Sequence, residues 1–441
     1  MLTPRLIESS LGLCKASPKH IFVAYSGGVD SHALLHLCVQ DPKLRNRLTA
    51  VHVHHGLQAQ AEAWARHAEN TARGFGVKFL LLRVDAHPKP GESPEEAARN
   101  ARYEALKSVI KPGDALLVAQ HQDDQLETVL LQLLRGSGLL GLAGIPESMP
   151  FGQGTLLRPF LHIRKQLIDR YASAQQLSWV EDPTNNESIY DRNFLRRQVL
   201  PLLKQRWPSC DQTVARAAGH CAEAYALLAD IASETFADVY CVDDNTLAIE
   251  KLGTFDFPRR QLIIRHWFRQ MNLKMPSQAF LTELSDHVIG AGANSDPVLC
   301  GQGYQIRRYR QKLYCLQDKE NEDLQAIECE WPKDMQSLTI GKRMTLTRLA
   351  STAGIPEAVW RQSRVTVKFR SGGELIALPG RRGHHHLKNL YQEIGIPPWE
   401  RPAIPLIYLD GNLAAVADLW ISADYYCADG QPCFRLAHSR E

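Results

Sequence analysis

The string Ser26-Gly27-Gly28-Val29-Asp30-Ser31 stands between an apolar run, Ile21 to Tyr25, and a helical pattern, His32 to Val39. Glycines let a backbone approach an anion and turn its N–H groups inward. A following helix N-terminus adds partial positive charge, and serine hydroxyls add donors, so the string suits a phosphate. A carboxylate repels a bare phosphate, and Asp30 makes sense there if it holds Mg2+ that bridges phosphate oxygens. The string contains neither G-x-x-x-x-G-K-[ST] nor G-x-G-x-x-G, so it is neither a Walker loop nor a dinucleotide fingerprint. A Gly-rich turn without a ligand is the alternative reading.

A second reactive string, His121-Gln122-Asp123-Asp124-Gln125-Leu126-Glu127-Thr128, follows the apolar run Ala115 to Ala119. Clustered carboxylates raise one another's pKa unless a cation is near, so they suit Mg2+ or an ammonium group. The rival is a helix start that uses Asp123 and Asp124 only to complement its dipole. Arg99 and Arg102, three apart, and Arg192 and Arg196, four apart, each share a helix face and suit either solvent or an anionic partner. The histidines of Val51 to Leu57, His55 among them, lack cysteines or carboxylates beside them, which leaves a metal poorly supported.

These strings need a scaffold. Short apolar runs at Ile21 to Tyr25, Leu48 to His54, Phe79 to Val84, Ala115 to Ala119 and Leu177 to Val180 alternate with amphipathic stretches, the pattern of a parallel sheet covered by helices. Ser93-Pro94-Glu95-Glu96 reads as a capping box that opens a helix over Ala97 to Ile110. The expectation is a doubly wound α/β domain over residues 1–207, with ligands at the carboxyl ends of its strands. Amphipathic helices at Asp211 to Glu234 and Arg259 to Asn272 predict a helical domain over 208–333. A polar run from Gln317 to Asp334, with Asp318, Glu320, Glu322 and Asp323, leads into a small α+β domain over 334–441. That last domain is expected to hold a strand at Arg364 to Arg370 and a helix at Leu387 to Ile394.

The chain has 441 residues, 44% hydrophobic and 22% charged, with a net charge of +3, which permits a polyanionic partner without demanding one. Ten cysteines without C-x-x-C or paired Cys/His spacing argue against structural zinc, iron–sulfur clusters and a secreted disulfide framework. No stretch approaches the ~20 apolar residues of a membrane span. A cytoplasmic protein without a membrane partner is expected, and a homodimer is compatible with the sequence.

The S-G-G-x-D-S string after a first strand resembles the loop of the N-type ATP pyrophosphatases, which cleave ATP between its α and β phosphates. Within that group the chain is similar to the tRNA(Ile)-lysidine synthetase family. His52 to Leu57 resembles its H-x-x-H-G-L segment near the adenosine pocket, Ala98 to Tyr103 its A-R-x-x-R-Y/F string, and His121 to Thr128 its H-x-x-D-D-Q-x-E-T signature. The likeness continues through Arg135 to Gly138, Leu157 to Leu161, Glu181 to Asn185 and Arg192 to Arg196. Gly383 to Leu390, with Lys388, and Pro397 to Pro402 look like its terminal tRNA-binding domain. Arg370-Ser371-Gly372-Gly373-Glu374 departs from the Arg-x-Pro-Gly turn more usual in the family. Tyr304 with Arg307 to Arg310 suits RNA, or else a half-buried strand with exposed arginines.

The resemblance implies ATP and Mg2+ as cofactors, with free L-lysine and the isoleucine tRNA bearing a CAU anticodon as substrates. It implies adenylation of the wobble cytidine, then lysine attack, giving lysidine, AMP and pyrophosphate and changing the codon read from AUG to AUA. Ser26, Gly27, Gly28, Val29, Asp30 and Ser31 would hold the phosphates, His55 the adenosine, and Asp30 the metal. His121, Asp123, Asp124 and Glu127 are candidates for taking the proton of lysine, with Asp124 favoured to grip the amine. Arg99, Arg102, Arg192, Arg196 and Lys388 would meet tRNA or phosphate. The rival readings are a tRNA thiolase, which the missing C-x-x-C opposes, and a tRNA-binding protein that has lost catalysis.

Overall fold

The structure is a computed structural model that describes residues 2–56, 60–87, 94–180, 191–292, 295–317, 327–341 and 344–440. Leu57, Ser93, Glu181 to Asn185 and the acidic run Asp318 to Asp323 lie outside them. The chain divides into two compact units, Met1–Ile231 and Ala232–Glu441.

The first unit is built on a six-stranded sheet of β1 (Ile21–Ala24), β2 (Leu48–His54), β3 (Lys78–Arg83), β4 (Ala115–Leu117), β5 (Ser148–Phe151) and β6 (Gly154–Leu157). Its order is β3-β2-β1-β4-β6-β5. All neighbours run parallel except the β5–β6 hairpin. The strands are apolar on both faces because both faces are covered. Ile21 and Val23 join one core with Leu34, Leu35 and Phe160. Phe22 turns to the other with Val51, Leu106, Leu116 and Leu156. The helix Val29–Val39 buries Leu34, Leu35, Leu37 and Cys38, and the helix Ala61–Gly74 lays Ala61, Ala65, Ala68 and Ala72 along the face it buries.

The expected strand at Leu177 to Val180 is not one. The position beside β4 is taken by β6, which the sequence hides: a Cβ at Gly154 would collide with the Asp114 carbonyl and with Ile110, so glycine opens this strand. Its antiparallel partner β5 carries Pro150, tolerated because β5 is the sheet edge. Strand order reverses between β1 and β4, so the segments that follow those strands open onto one crevice.

The second unit has separate apolar clusters. The expected helix Cys210–Val239 is present, beginning within the first unit and ending in the second, as is Phe257–Gln270, whose Trp267 and Phe268 pack on Ile306 and Leu313. Ile306 and Leu313 belong to a five-stranded antiparallel sheet of Tyr240–Cys241, Thr246–Ala248, Lys312–Gln317, Tyr304–Tyr309 and Val298–Cys300, which the helical reading of 208–333 did not include. A further core of Trp331, Trp360, Val367, Ile407 and Leu409 lies on antiparallel sheets. The strand expected at Arg364 to Arg370 spans Val365–Lys368, and the helix spans Leu387–Glu393. No helix among the described residues is long and apolar enough to cross a membrane.

Candidate active site at the strand switch point

β1 delivers Ser26 into the glycine loop, and the helix Val29–Val39 starts immediately after Gly28. Gly27 has φ +92°, a conformation other residues avoid. The serines brace the turn: Ser26 N–H donates to Ser31 Oγ at 3.2 Å, and Ser31 Oγ donates to the Gly28 carbonyl at 3.0 Å. The Val180 N–H donates to the Gly27 carbonyl at 3.0 Å, so the segment Leu177 to Val180 supports the loop instead of joining the sheet. A Cβ at Gly28 would meet Ser26 Oγ at an ordinary 3.6 Å. The loop's own packing therefore leaves room above Gly28, as a site for a close-lying ligand requires.

Asp30, on the first turn, is held by Lys165 from the start of the helix Lys165–Ala174. Lys165 Nζ lies 2.5 Å from Asp30 Oδ1 and 2.8 Å from Asp169 Oδ1. Across the crevice β4 leads to the helix Gln122–Leu134, where the Asp124 carboxylate accepts from the His121 N–H at 2.9 Å. His121 is buried, and its Nε2 stands 3.5 Å from Asp124 Oδ2 and 3.7 Å from Asp30 Oδ2. The glycine loop and the acidic string thus meet through one imidazole.

Arg192 and Arg196 reach the same place from the stretch Asp191–Phe194 and the π-helical turn Leu195–Val199 that follows it. Glu127 is fully buried and accepts from Arg192 Nε at 2.8 Å and Arg196 Nε at 2.6 Å. The Nη2 atoms of both arginines lie 3.3 and 3.2 Å from Asp124 Oδ1. Burial alone would lower the pKa of Arg196, but the hydrogen bond and charge of Glu127, aided by Asp124 and Asp30, raise it above the usual arginine value. Lys204 Nζ pairs with Asp123 at 2.5 Å. The guanidinium groups of Arg192 and Arg196, expected to meet tRNA or phosphate, here face the acidic string. Nothing local in the sequence distinguishes Lys165 or Lys204 from a surface lysine.

The carboxylate of Asp30 is a hard oxygen donor at the head of a phosphate-type loop. Among the described residues no group of three or more His, Cys, Asp or Glu side chains forms a metal cage. Mg2+ needs no such cage, since it commonly takes one or two carboxylates and fills its shell with phosphate oxygens and water. Asp30 fits that use.

His55, beyond β2, accepts from Arg102 Nε at 3.2 Å. Burial, then the Arg102 charge and the neighbouring His52 and His54, push its pKa down to about 4, so the ring is neutral. Its Nδ1 is a buried atom without a hydrogen-bond partner among the described residues. Arg99 is exposed and lies over the Tyr103 ring at 5.4 Å.

In the second unit Lys388 lines a cavity of about 250 Å³ with Arg370, Gly373, Glu374, His386 and Asn389. The Glu374 carboxylate accepts from the N–H groups of Ser371 and Gly372, each at 2.7 Å. Burial opposes its charge, but those bonds and Arg370 outweigh it and hold the carboxyl below its usual range. The loop that departs from the family's turn is thus closed by its own glutamate. His384–His386 pairs with Leu375–Ala377, and successive strand residues face opposite sides, so the three rings do not converge on one ion.

The Arg307 to Arg310 cluster is spent internally. Arg308 is buried and donates to the Ile289 and Ala291 carbonyls at 2.9 and 2.5 Å. Arg310 donates to the carbonyls of Gln392 and Glu393 at a helix end. Arg307 lies over Trp399 at 5.4 Å, and Arg401 reaches the Tyr309 hydroxyl at 3.3 Å. Burial alternates along Tyr304–Tyr309, as the half-buried strand requires, but Arg308 is buried where that reading expects exposed arginines.

The sequence matches the PP-loop domain over residues 5–203, the TilS substrate binding domain over 247–314 and the TilS substrate C-terminal domain over 365–438. Among solved structures, a U34-tRNA thiolase from Methanococcus maripaludis aligns with a TM-score of 0.42 and 18% identity, over 50% of this chain and 78% of that one. The tRNA(Ile)-lysidine synthase of Methylococcus capsulatus is 40% identical over 406 residues, 91% of this chain and 92% of its own. That of Alkalilimnicola ehrlichii is 40% identical over 416 residues, 94% of this chain and 92% of its own. Identity of this degree along nearly the whole of both sequences makes the chain a member of the tRNA(Ile)-lysidine synthase family.

Proposed function

We propose that the chain joins free L-lysine to carbon 2 of the wobble cytidine in the CAU anticodon of isoleucine tRNA. The cytosine carbonyl oxygen is a poor leaving group. ATP therefore adenylates that oxygen first, releasing pyrophosphate; the ε-amine of lysine then attacks carbon 2 and AMP departs with the oxygen. The product is lysidine, which shifts codon reading from AUG to AUA.

Ser26, Gly27, Gly28, Val29 and Ser31 bind the phosphates through N–H and hydroxyl donors. Asp30 holds Mg2+, which when bound offsets charge on the departing pyrophosphate. His55, held neutral by burial and the Arg102 charge, meets the adenosine. Lysine arrives as an ammonium and must lose a proton before it attacks. Asp124 grips that amine, and His121, between Asp124 and Asp30, takes the proton. Glu127, with both oxygens engaged by arginines, fixes Arg192 and Arg196 and through them Asp124. Residues 1–207 carry adenylation, and 208–333 and 334–441 hold the tRNA, with Arg99, Arg102 and Lys388 at its phosphates.

The observation that carries this reading is His121 Nε2 at 3.7 Å from the glycine loop's Asp30 and 3.5 Å from Asp124. One cleft thereby offers phosphate donors beside a carboxylate–imidazole pair suited to an amine. The test is transfer of labelled lysine into unfractionated bacterial tRNA with ATP and Mg2+. Stable, ATP-dependent label with the wild type and none with Asp30→Ala is expected; label at the wild-type rate in the variant would remove Asp30 from the reaction.

A further inference from the structure

The ammonium of Lys165 occupies the carboxylate that the reading above assigns to the metal. It sits between Asp30 Oδ1 at 2.5 Å and Asp169 Oδ1 at 2.8 Å. Asp169 is one turn along its own helix, Lys165–Ala174, whereas Asp30 opens the loop helix, 135 residues away in sequence. The lysine therefore has one partner on its own helix and a second on the loop helix. Its stem is flexible and its charge compact, with three donors that can change partners without a fixed fork geometry.

We propose that Lys165 is a counter-ion switch: it keeps Asp30 closed to a divalent cation in the nucleotide-free protein and moves onto the phosphates when they bring the metal in. This rests on the reading of the glycine loop as a triphosphate site. A free divalent cation approaching Asp30 meets the ammonium, a like charge, in direct contact with the oxygen it seeks. A metal–triphosphate complex carries net negative charge and attracts the same ammonium. Released from Asp30 but tethered by Asp169, Lys165 reaches the phosphate oxygens on which charge grows as pyrophosphate departs. Metal binding to Asp30 is thus made conditional on nucleotide.

The full-length protein tests this through binding of Mn2+, in place of Mg2+, followed without nucleotide by electron paramagnetic resonance. Lys165→Gln is expected to bind Mn2+ about tenfold more tightly than the wild type, with the gain abolished by adding Asp30→Ala. Equal Mn2+ affinity of wild type and Lys165→Gln would overturn the proposal. Exchange of labelled pyrophosphate into ATP, with tRNA present, is expected to fall about a hundredfold in Lys165→Gln and to be partly restored in Lys165→Arg; wild-type exchange in Lys165→Gln would also overturn it. Asp169→Asn, at a more exposed position, guards against misfolding of the first variant: exchange should fall about tenfold at an unchanged unfolding temperature, and unchanged exchange counts against the tether. If the adenylation reading itself is wrong, the wild type shows no tRNA-dependent exchange, while the Mn2+ comparison still decides the role of Lys165.

Discussion

The Val180 N–H donates to the Gly27 carbonyl across 3.0 Å, which ties the segment after the helix Lys165–Ala174 to the one residue of the loop with a positive φ. The neighbouring Ser178 backbone also bonds the buried His32 of the loop helix. The loop is therefore held from outside as well as by its own serines, and its shape exists before any phosphate arrives.

That rigidity separates two glycine substitutions. Gly27→Ala forces a Cβ into a left-handed conformation and is expected to destabilise the first unit by about 1–2 kcal/mol. Gly28→Ala meets no obstacle in the folded chain, so urea unfolding should be unchanged while pyrophosphate exchange drops about tenfold or more. Equal losses of stability in the two variants would show that the space above Gly28 is filled by protein.

Glu127 is the buried anion on which Arg192 and Arg196 converge. Removing one partner from such a network typically costs 3–5 kcal/mol. Because Arg196 is 44% exposed, Glu127→Gln should fall near the low end, about 3 kcal/mol, visible as a drop of roughly 8 °C in a thermal scan. Lysine transfer should fall with it, measured well below the new midpoint. An unchanged midpoint would mean that the arginines are held by other contacts.

The loop helix also carries an acid sensitivity. His32 accepts from or donates to the Tyr25 hydroxyl at 3.3 Å, and burial, with His67 and His36 adding to it, pushes its pKa from 6.5 down to about 4. The folded chain keeps this ring neutral, whereas the unfolded chain protonates it near 6.5. Its contribution is thus present above pH 6.5 and lost as pH falls towards 4, to the extent of about 3 kcal/mol. Urea midpoints at pH 7.5, 6 and 5 should decline less steeply in His32→Gln than in the wild type; parallel declines would place the acid sensitivity elsewhere.

Lys388 offers a readout for RNA that does not depend on catalysis. A lysine that neutralises one phosphate releases about one counterion, so Lys388→Ala should weaken tRNA binding and flatten the log–log salt dependence by about 1. Filter-binding at three salt concentrations measures it. A weaker affinity at unchanged slope would point to a packing role in the cavity with Arg370 and Glu374.

The legible parts of this chain are those whose cause is local. Ile21 to Tyr25 followed by two glycines and Asp30 states its strand, turn and helix within a dozen residues, and the acidic string after Ala115 to Ala119 does the same. Leu177 to Val180 has the composition of a strand, but sheet membership is decided by what already lies beside β4. There Gly154 and Pro150, poor strand residues, fit an edge hairpin that a branched segment could not make. The contacts of Arg192 and Arg196 with Glu127 cross 65 and 69 residues, and that of Lys165 with Asp30 crosses 135. No spacing rule reaches so far, so two arginines that match an RNA-binding pattern turn out to face carboxylates. The Tyr304 to Arg310 cluster is ambiguous for a related reason: the partners of its arginines, such as Trp399 and the Gln392 carbonyl, lie about 80 to 90 residues away in sequence.

That segment constrains how the chain can be recombined. Arg310 closes the helix end at Gln392 and Glu393, Trp399 covers Arg307, Tyr309 and Tyr314, and a Cβ at Gly395 would press on the Arg310 guanidinium. The hairpin Tyr304–Gln317 and the stretch from Leu387 to Arg401 are therefore heritable as a pair. A chimera that takes its last hundred residues from a relative inherits a matching surface only if the donor's hairpin travels with them. The workable junction for exchange thus lies before the hairpin, not in the polar run after it.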